Sequence, residues 1–209
     1  IQYGSARIGS SSSVITGYVD YDSNETIHYY DEWGWWSSVG WSDGVDWGMM
    51  ELTHNQSDEY LKAVSFSGTN APTSYEIYVY DDFSGGSLSN LLVGPISGTV
   101  SEAGYYTVDL PTPLLLVTGD PVYIAIEFDT GTYGYPIPYD DTGPMETDKS
   151  FVSNDGSSYT ALDNGSYAMG DVGIRGIVGP ESSSGNCSKE GTPQIQTGFP
   201  SGTQNAIKG

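Results

Sequence analysis

Asp20-Tyr21-Asp22-Ser23-Asn24 sets oxygen-bearing side chains at alternate positions, with Glu25 next and Asp31 further along. Carboxylate and amide oxygens alternating on a turning loop are the donors a hard divalent cation takes, so calcium is the expected cofactor. The sharp-turn glycine of an EF-hand loop is replaced by Glu25, so the array is of another kind. Asp140-Asp141, with Glu146 and Asp148 in a Gly/Pro loop, forms a second acidic cluster, and Asp43 with Asp46 a third. The expected metal residues are Asp20, Asp22, Asn24, Asp31, Asp140 and Asp141. The competing reading is that these are solvated acidic loops.

Catalytic chemistry is weakly supported. Glu127-Phe128-Asp129 puts two carboxylates on one face of a strand, as glycoside hydrolysis requires, but the next position on that face is Gly131. The strand resembles a truncated form of the E-x-D-x-E strand of jelly-roll glucanases. His28, His54 and Cys187 stand at unrelated positions and do not make a tetrahedral zinc set. There is no Gly-rich phosphate loop before a helix and no Gly-x-Ser-x-Gly elbow. The chain is expected not to be an enzyme.

Binding chemistry concentrates in the tryptophans, all 5 of which lie between Trp33 and Trp47. Strand alternation would place Trp33, Trp35, Val39 and Trp41 on one face, as the floor of a core. Trp36 would point the other way, between Gly34, Ser38 and Gly40, as a platform for a sugar or a neighbouring subunit. Tyr78, Tyr80 and Tyr123, each opposite an apolar stripe, are the further contact candidates.

The elements that must hold these residues are strands. Ile77 and Val79 in Tyr75–Tyr80 are expected inward, as are Val122, Ile124, Ile126 and Phe128, and Tyr106, Val108 and Leu110. Leu61–Phe66 and Val172–Val178 complete the core set. Asp43-Gly44, Ser84-Gly85-Gly86, Gly119-Asp120-Pro121, Asn154-Asp155-Gly156 and Asn164-Gly165 are the turns. No segment shows sustained helical periodicity. The fold class is all-β, a two-sheet antiparallel β-sandwich of jelly-roll type. Residues 14–179 form the sandwich, after a strand remnant and Ser-rich lead-in at 1–13. A Ser/Gly/Thr-rich tail follows at 180–209, by composition a linker, and is expected to extend and be pinned on a neighbouring subunit.

Composition limits the partners. The net charge is −21, with 6 Lys and Arg against 27 Asp and Glu, so nucleic acid and anionic membrane surfaces are excluded. The aliphatic run Leu114–Val117 is far below the roughly 20 residues that span a bilayer. Sequons at Asn24, Asn55, Asn164 and Asn186 fit an extracellular or cell-surface glycoprotein. The chain begins at Ile1 without a signal peptide, as a processed piece of something longer would.

Several blocks then carry a resemblance: Tyr29-Tyr30-Asp31-Glu32-Trp33-Gly34-Trp35, Leu61-Lys62-Ala63-Val64-Ser65-Phe66, Tyr75-Glu76-Ile77-Tyr78-Val79-Tyr80, Gly134-Tyr135-Pro136-Ile137-Pro138 and Ser150-Phe151-Val152-Ser153-Asn154-Asp155-Gly156-Ser157. In that order they resemble the lectin-like domain that follows the catalytic domain in archaeal papain-like cysteine peptidases and related surface proteins. The opening Ile1–Ser10 resembles the closing strand of the papain-like domain. The resemblance covers roughly residues 1 to 178 and implies an extracellular β-sandwich. No peptidase block is present: Cys187 lies in the tail, and neither histidine has the family's context. The leading expectation is a non-catalytic, self-assembling surface component, a filament or sheath subunit joined through sheet edges and tail into a homo-polymer. The alternatives are a glycan-binding adhesive module, or an accessory domain released from a papain-like peptidase.

Overall fold

The computed structural model describes residues 24–164 and 169–181. Thirteen strands pair throughout in antiparallel fashion, and no helix occurs among the described residues. Three short or medium strands come first: β1 (Thr26–His28), β2 (Ser37–Val39) and β3 (Val45–Thr53). The long ones follow: β4 (Glu59–Gly68), β5 (Thr73–Ser84), β6 (Ser87–Val100), β7 (Gly104–Leu115) and β8 (Pro121–Asp129). The chain closes with β9 (Ile137–Asp140), β10 (Ser150–Ser153), β11 (Thr160–Ala161), β12 (Asp171–Val172) and β13 (Ile174–Pro180).

A four-stranded sheet, β1-β13-β4-β7, faces a six-stranded sheet, β11-β10-β3-β8-β5-β6. A small third sheet, β12-β9-β2, adds Ile137, Tyr139 and Val172 to the same core. Alternation does the sorting. Ile77 and Val79 of β5, and Val122, Ile124, Ile126 and Phe128 of β8, point inward as their spacing predicts. Phe66 meets them from the other sheet, its ring centroid 5.6 Å from that of Phe128 and 4.9 Å from that of Tyr75. In β4, Lys62 has no register partner on β13, because Ile177 pairs with Ala63 and Val178 with Leu61. That extra residue lets both Leu61 and Val64 face the core, which strict alternation would forbid.

The turns behave as their sequence requires. Gly85 and Gly86 both take positive φ (59° and 85°), which suits a two-residue hairpin between β5 and β6. The Trp-rich segment departs from expectation. Only Ser37–Val39 is strand; before it the chain turns, with Glu32 N donating to Tyr30 O and Gly34 N to Asp31 O. Alternation therefore does not run from Trp33 to Trp41. Val39 packs on the core, but Trp33 and Trp41 are exposed, and the expected core floor of tryptophans is replaced by Ile137, Tyr139 and Val172.

Candidate functional site

The turn after β1 and the short strand β2 put aromatic rings outside the sandwich. Trp33 is 62% exposed, Trp36 48% and Trp41 47%, and Tyr135 on the β8–β9 connection is 50% exposed. A hydrophobic core places tryptophan rings elsewhere, as Trp47 shows: in β3 its ring packs 5.4 Å from that of Tyr78. Trp36 therefore stands at the surface, as its small neighbours predict. The structure adds Trp33, Trp41 and Tyr135, which strand alternation misassigned or passed over. The signal that could have found them is the Tyr30-Asp31-Glu32 run before Gly34, a turn composition that ends alternation.

Buried carboxylates hold this aromatic rim. Asp31 is bound by Arg175 on two sides: Nε donates to Oδ1 at 2.9 Å, and Nη2 donates to Oδ2 and to the Asp31 carbonyl at 3.0 Å each. The guanidinium lies 4.7 Å from the Tyr29 ring centroid and 5.6 Å from that of Tyr105. Burial pushes the Asp31 carboxyl up, to about 7, against the pull of Arg175. The two-sided geometry is nonetheless that of an ion pair: burial pulls the Arg175 guanidinium down, but Asp31 more than offsets this and raises it.

Asp140 accepts the backbone N–H of Trp33 at 2.7 Å on Oδ2, and those of Thr142 (2.9 Å) and Gly143 (3.2 Å) on Oδ1. Asp46 accepts the Trp41 N–H at 3.0 Å. Trp35 is tied locally, its indole N–H donating to Ser38 Oγ at 2.9 Å. Trp36 N donates to Tyr139 O at 3.1 Å and so extends the small sheet. A backbone fixed in this way lowers the ordering cost when something stacks on the ring it carries.

Two of the carboxylates expected to hold calcium thus have another task. Asp31 and Asp140 spend their oxygens on Arg175 and on the backbone of the rim. Asp141 is exposed, and Asp20 and Asp22 lie outside the described residues. Among the described residues, no three His, Cys, Asp or Glu side chains are grouped to hold a metal ion. His28 and His54 meet edge to face, 6.0 Å between centroids, with His54 buried and accepting the Gln56 N–H. The described sequon asparagines, Asn24, Asn55 and Asn164, are exposed, while Asn186 and the tail fall outside the described residues.

Tyr78, Tyr80 and Tyr123 come together on the outer face of the six-stranded sheet, away from the rim's small sheet. Tyr78 and Tyr80 stack at 6.2 Å, and Tyr80 pairs in register with Tyr123. Tyr123 packs with Met49, Phe151 and Tyr159 in a second, minor core. Of these three tyrosines, Tyr123 is therefore largely a packing residue.

With that geometry in hand, the likeness to known proteins is specific. The family described as the lectin-like domain matches residues 27–175. The clostridial cysteine protease Cwp84 after propeptide cleavage superposes with a TM-score of 0.63 at 17% identity, over 78% of this chain and 42% of that one. The structure of the cysteine protease and lectin-like domains of Cwp84, a surface-layer-associated protein of Clostridium difficile, gives a TM-score of 0.59 at 15% identity. It covers 78% of this chain and 37% of that one. This chain thus matches less than half of the length of either structure. No curated protein matches.

Proposed function

Because the chain belongs to the lectin-like domain family, we propose that it is a non-catalytic, extracellular module that holds a glycan against the aromatic rim around β2. The observation that carries this reading is the exposure of Trp33, Trp36 and Trp41 on a segment whose backbone is tied down by Asp31, Asp140 and Asp46. Large apolar surface left in water at a fixed place marks a contact site. Sugar rings stack on such faces through their C–H side, and indole is the largest face available. The rim offers rings and carboxylates already bound to backbone, a binding inventory without an acid–base pair. The exposed sequons and the likeness to a surface-layer-associated protease support a place outside the cell.

Covering roughly 50 Å² of each ring at ~25 cal/mol/Å² is worth about 1 kcal/mol per tryptophan. Trp36→Ala and Trp33→Ala are each expected to weaken retention on a polysaccharide column several-fold, and together to abolish it. Indole fluorescence should shift when glycan is added to the wild type. A double variant retained as strongly as wild type would remove the rim from consideration.

A second reading, assembly into a larger structure, draws on a different observation. Leu91 and Leu92 on edge strand β6, and Leu115 at the end of edge strand β7, are exposed. Those strands also carry Pro95, Pro111 and Pro113, which lack the N–H that strand addition needs. Contacts there would run through side chains. Large particles in sedimentation of the natively isolated protein without added glycan, lost on Leu91→Asp, would favour assembly over the rim.

A further inference from the structure

The aromatic rim is spread along a two-stranded ribbon. β2 and β9 pair from Ser37 with Tyr139 to Val39 with Ile137. The ribbon continues at both ends, where Trp36 N donates to Tyr139 O at 3.1 Å and Ser42 N donates to Gly134 O at 3.2 Å. Trp36 therefore stands at one end and Trp41 at the other, up to roughly 16 Å apart along extended chain.

Each end gains a second ring. Asp140 Oδ2 accepts the Trp33 N–H, and a Cβ at Gly143 would lie 2.8 Å from that oxygen and 3.1 Å from Trp33 Cδ1. The glycine thus lets the 140–143 loop lie against the indole edge while the ring stays exposed. At the other end a Cβ at Gly134 would lie 2.7 Å from Ser42 Cα, so the loops that carry Tyr135 and Trp41 touch. Exposed rings at both ends of one ribbon suit a long ligand, since a single sugar reaches one end only.

The border of these rings is acidic. Glu32 precedes Trp33 in its turn, and Asp141 lies in the loop that holds the Trp33 edge. Asp43 lies in the turn between Trp41 and Asp46, its Oδ1 accepting the Val45 N–H at 3.4 Å. All three are exposed. The lysines and arginine among the described residues do not answer them. Lys62 is paired with Glu25, Lys149 with Glu51, and Arg175, which reaches the turn of Trp33, with Asp31.

Resting on the reading of the rim as a glycan site, we infer that it takes a polysaccharide chain free of acidic groups, laid along β2 and stacked on rings at both ends. Stacking asks only for the C–H face of a sugar and does not choose by charge. The border makes that choice. A carboxylate, sulfate or phosphate on the sugar meets the like charges of Glu32, Asp141 or Asp43 and finds no cation to neutralise it. Sugar hydroxyls meet the same carboxylates as hydrogen-bond donors.

The test is retention on columns of hydroxyethyl cellulose, xyloglucan and mannan, which are uncharged, and of carboxymethyl cellulose and polygalacturonate, which are acidic. It is run at about 0.01 M ionic strength, where charges are felt furthest. At least one uncharged polymer is expected to hold the protein about tenfold or more above either acidic one, and Trp36→Ala to release it. Glu32→Gln, Asp43→Asn and Asp141→Asn together should narrow that ratio at least about threefold. Asp81→Asn, Asp82→Asn and Asp120→Asn together make the same charge change at exposed positions off the ribbon and should leave the ratio as it is. The hexasaccharide of the bound polymer should elute the protein at about a tenth of the concentration its disaccharide needs, because it spans both ends. Acidic polymers that hold the wild type as well as the uncharged ones, and release Trp36→Ala, would leave the rim standing and overturn this inference. Equal narrowing by the two triple variants, or a disaccharide as potent as the hexasaccharide, would overturn it too. Retention on no polymer, or retention untouched by Trp36→Ala, would overturn the rim itself and the inference with it.

Discussion

Tyr159 is the residue whose environment is least settled by the fold. Its ring is fully employed, 6.3 Å from Phe83 and packed with Met49 and Phe151, while its hydroxyl is buried without a partner. Burial, and then the nearby Tyr80, Asp155 and Glu127, push that hydroxyl's ionisation far above the usual range, so it stays a neutral donor at every working pH. Tyr159→Phe keeps the ring and removes the unsatisfied group. It is expected to stabilise the protein by about 1 kcal/mol, read from denaturant unfolding. None of this was legible in the sequence, where Tyr159 follows a run of turn residues. What places it is the backbone N–H of Tyr159 donating to Gly86 O, which joins the 154–159 loop to the β5–β6 hairpin. Trp36 is the contrasting case: its exposure followed from flanking Gly34, Ser38 and Gly40, because residues without bulk cannot cover an indole.

At the scale of elements, the turn between β1 and β2 depends on a strand far away in sequence. Arg175 in β13 shares a row with Ser65 of β4 and Thr107 of β7 on the outer face of the four-stranded sheet. From there it reaches Asp31 and fixes the turn that carries Trp33. Arg175→Met would leave the Asp31 carboxylate buried without its partner, at a cost of about 3–5 kcal/mol. Adding Asp31→Asn to that variant should recover part of the loss, because the orphaned charge is gone. Chemical unfolding of the two single variants and the double variant checks this. An additive double variant would mean that the pair is not coupled. Strands β5 and β8 were readable from alternation alone, since both faces of each strand have one consistent character. The Trp33–Trp41 segment was not, because period-2 reading presumes a strand where a turn and only three strand residues occur.

The whole molecule carries a net charge of −21, and some of its carboxyls are buried at the core margin. Burial, opposed by the Trp41 N–H, raises Asp46 from 3.8 to about 6, and burial likewise raises Asp171 to about 6. A carboxyl raised on folding contributes stability at low pH and loses it as pH climbs through the folded value. His28 works the other way: burial and then His54 lower it, so its contribution is lost as pH falls below its ordinary 6.5. Two carboxyls outweigh one imidazole, and the general self-repulsion also eases as carboxylates protonate. The melting temperature is therefore expected to rise as pH falls from about 7 to about 5, with a smaller rise in Asp46→Asn. Melting followed by circular dichroism across that range tests it, and a profile that falls toward acid would contradict the sign.

Composition and pattern by themselves determined an all-β sandwich. Alternating apolar stripes at Ile77–Val79 and Val122–Phe128 can bury one face only as strands, and Gly-rich pairs such as Gly85-Gly86 can only turn. The charge alone set the expectation that nucleic acid is not a partner. The tertiary structure decided which acidic residues are free to act. Asp31 reads as one ligand of an array because sequence shows spacing and not partners. In the fold, Arg175 arrives from 144 positions away to bind Asp31, and Asp140 reaches the Trp33 N–H across 107 positions. The acidic border of the rim is likewise invisible along the chain, since the pairing of β2 with β9 is what brings the loop of Asp141 to Trp33.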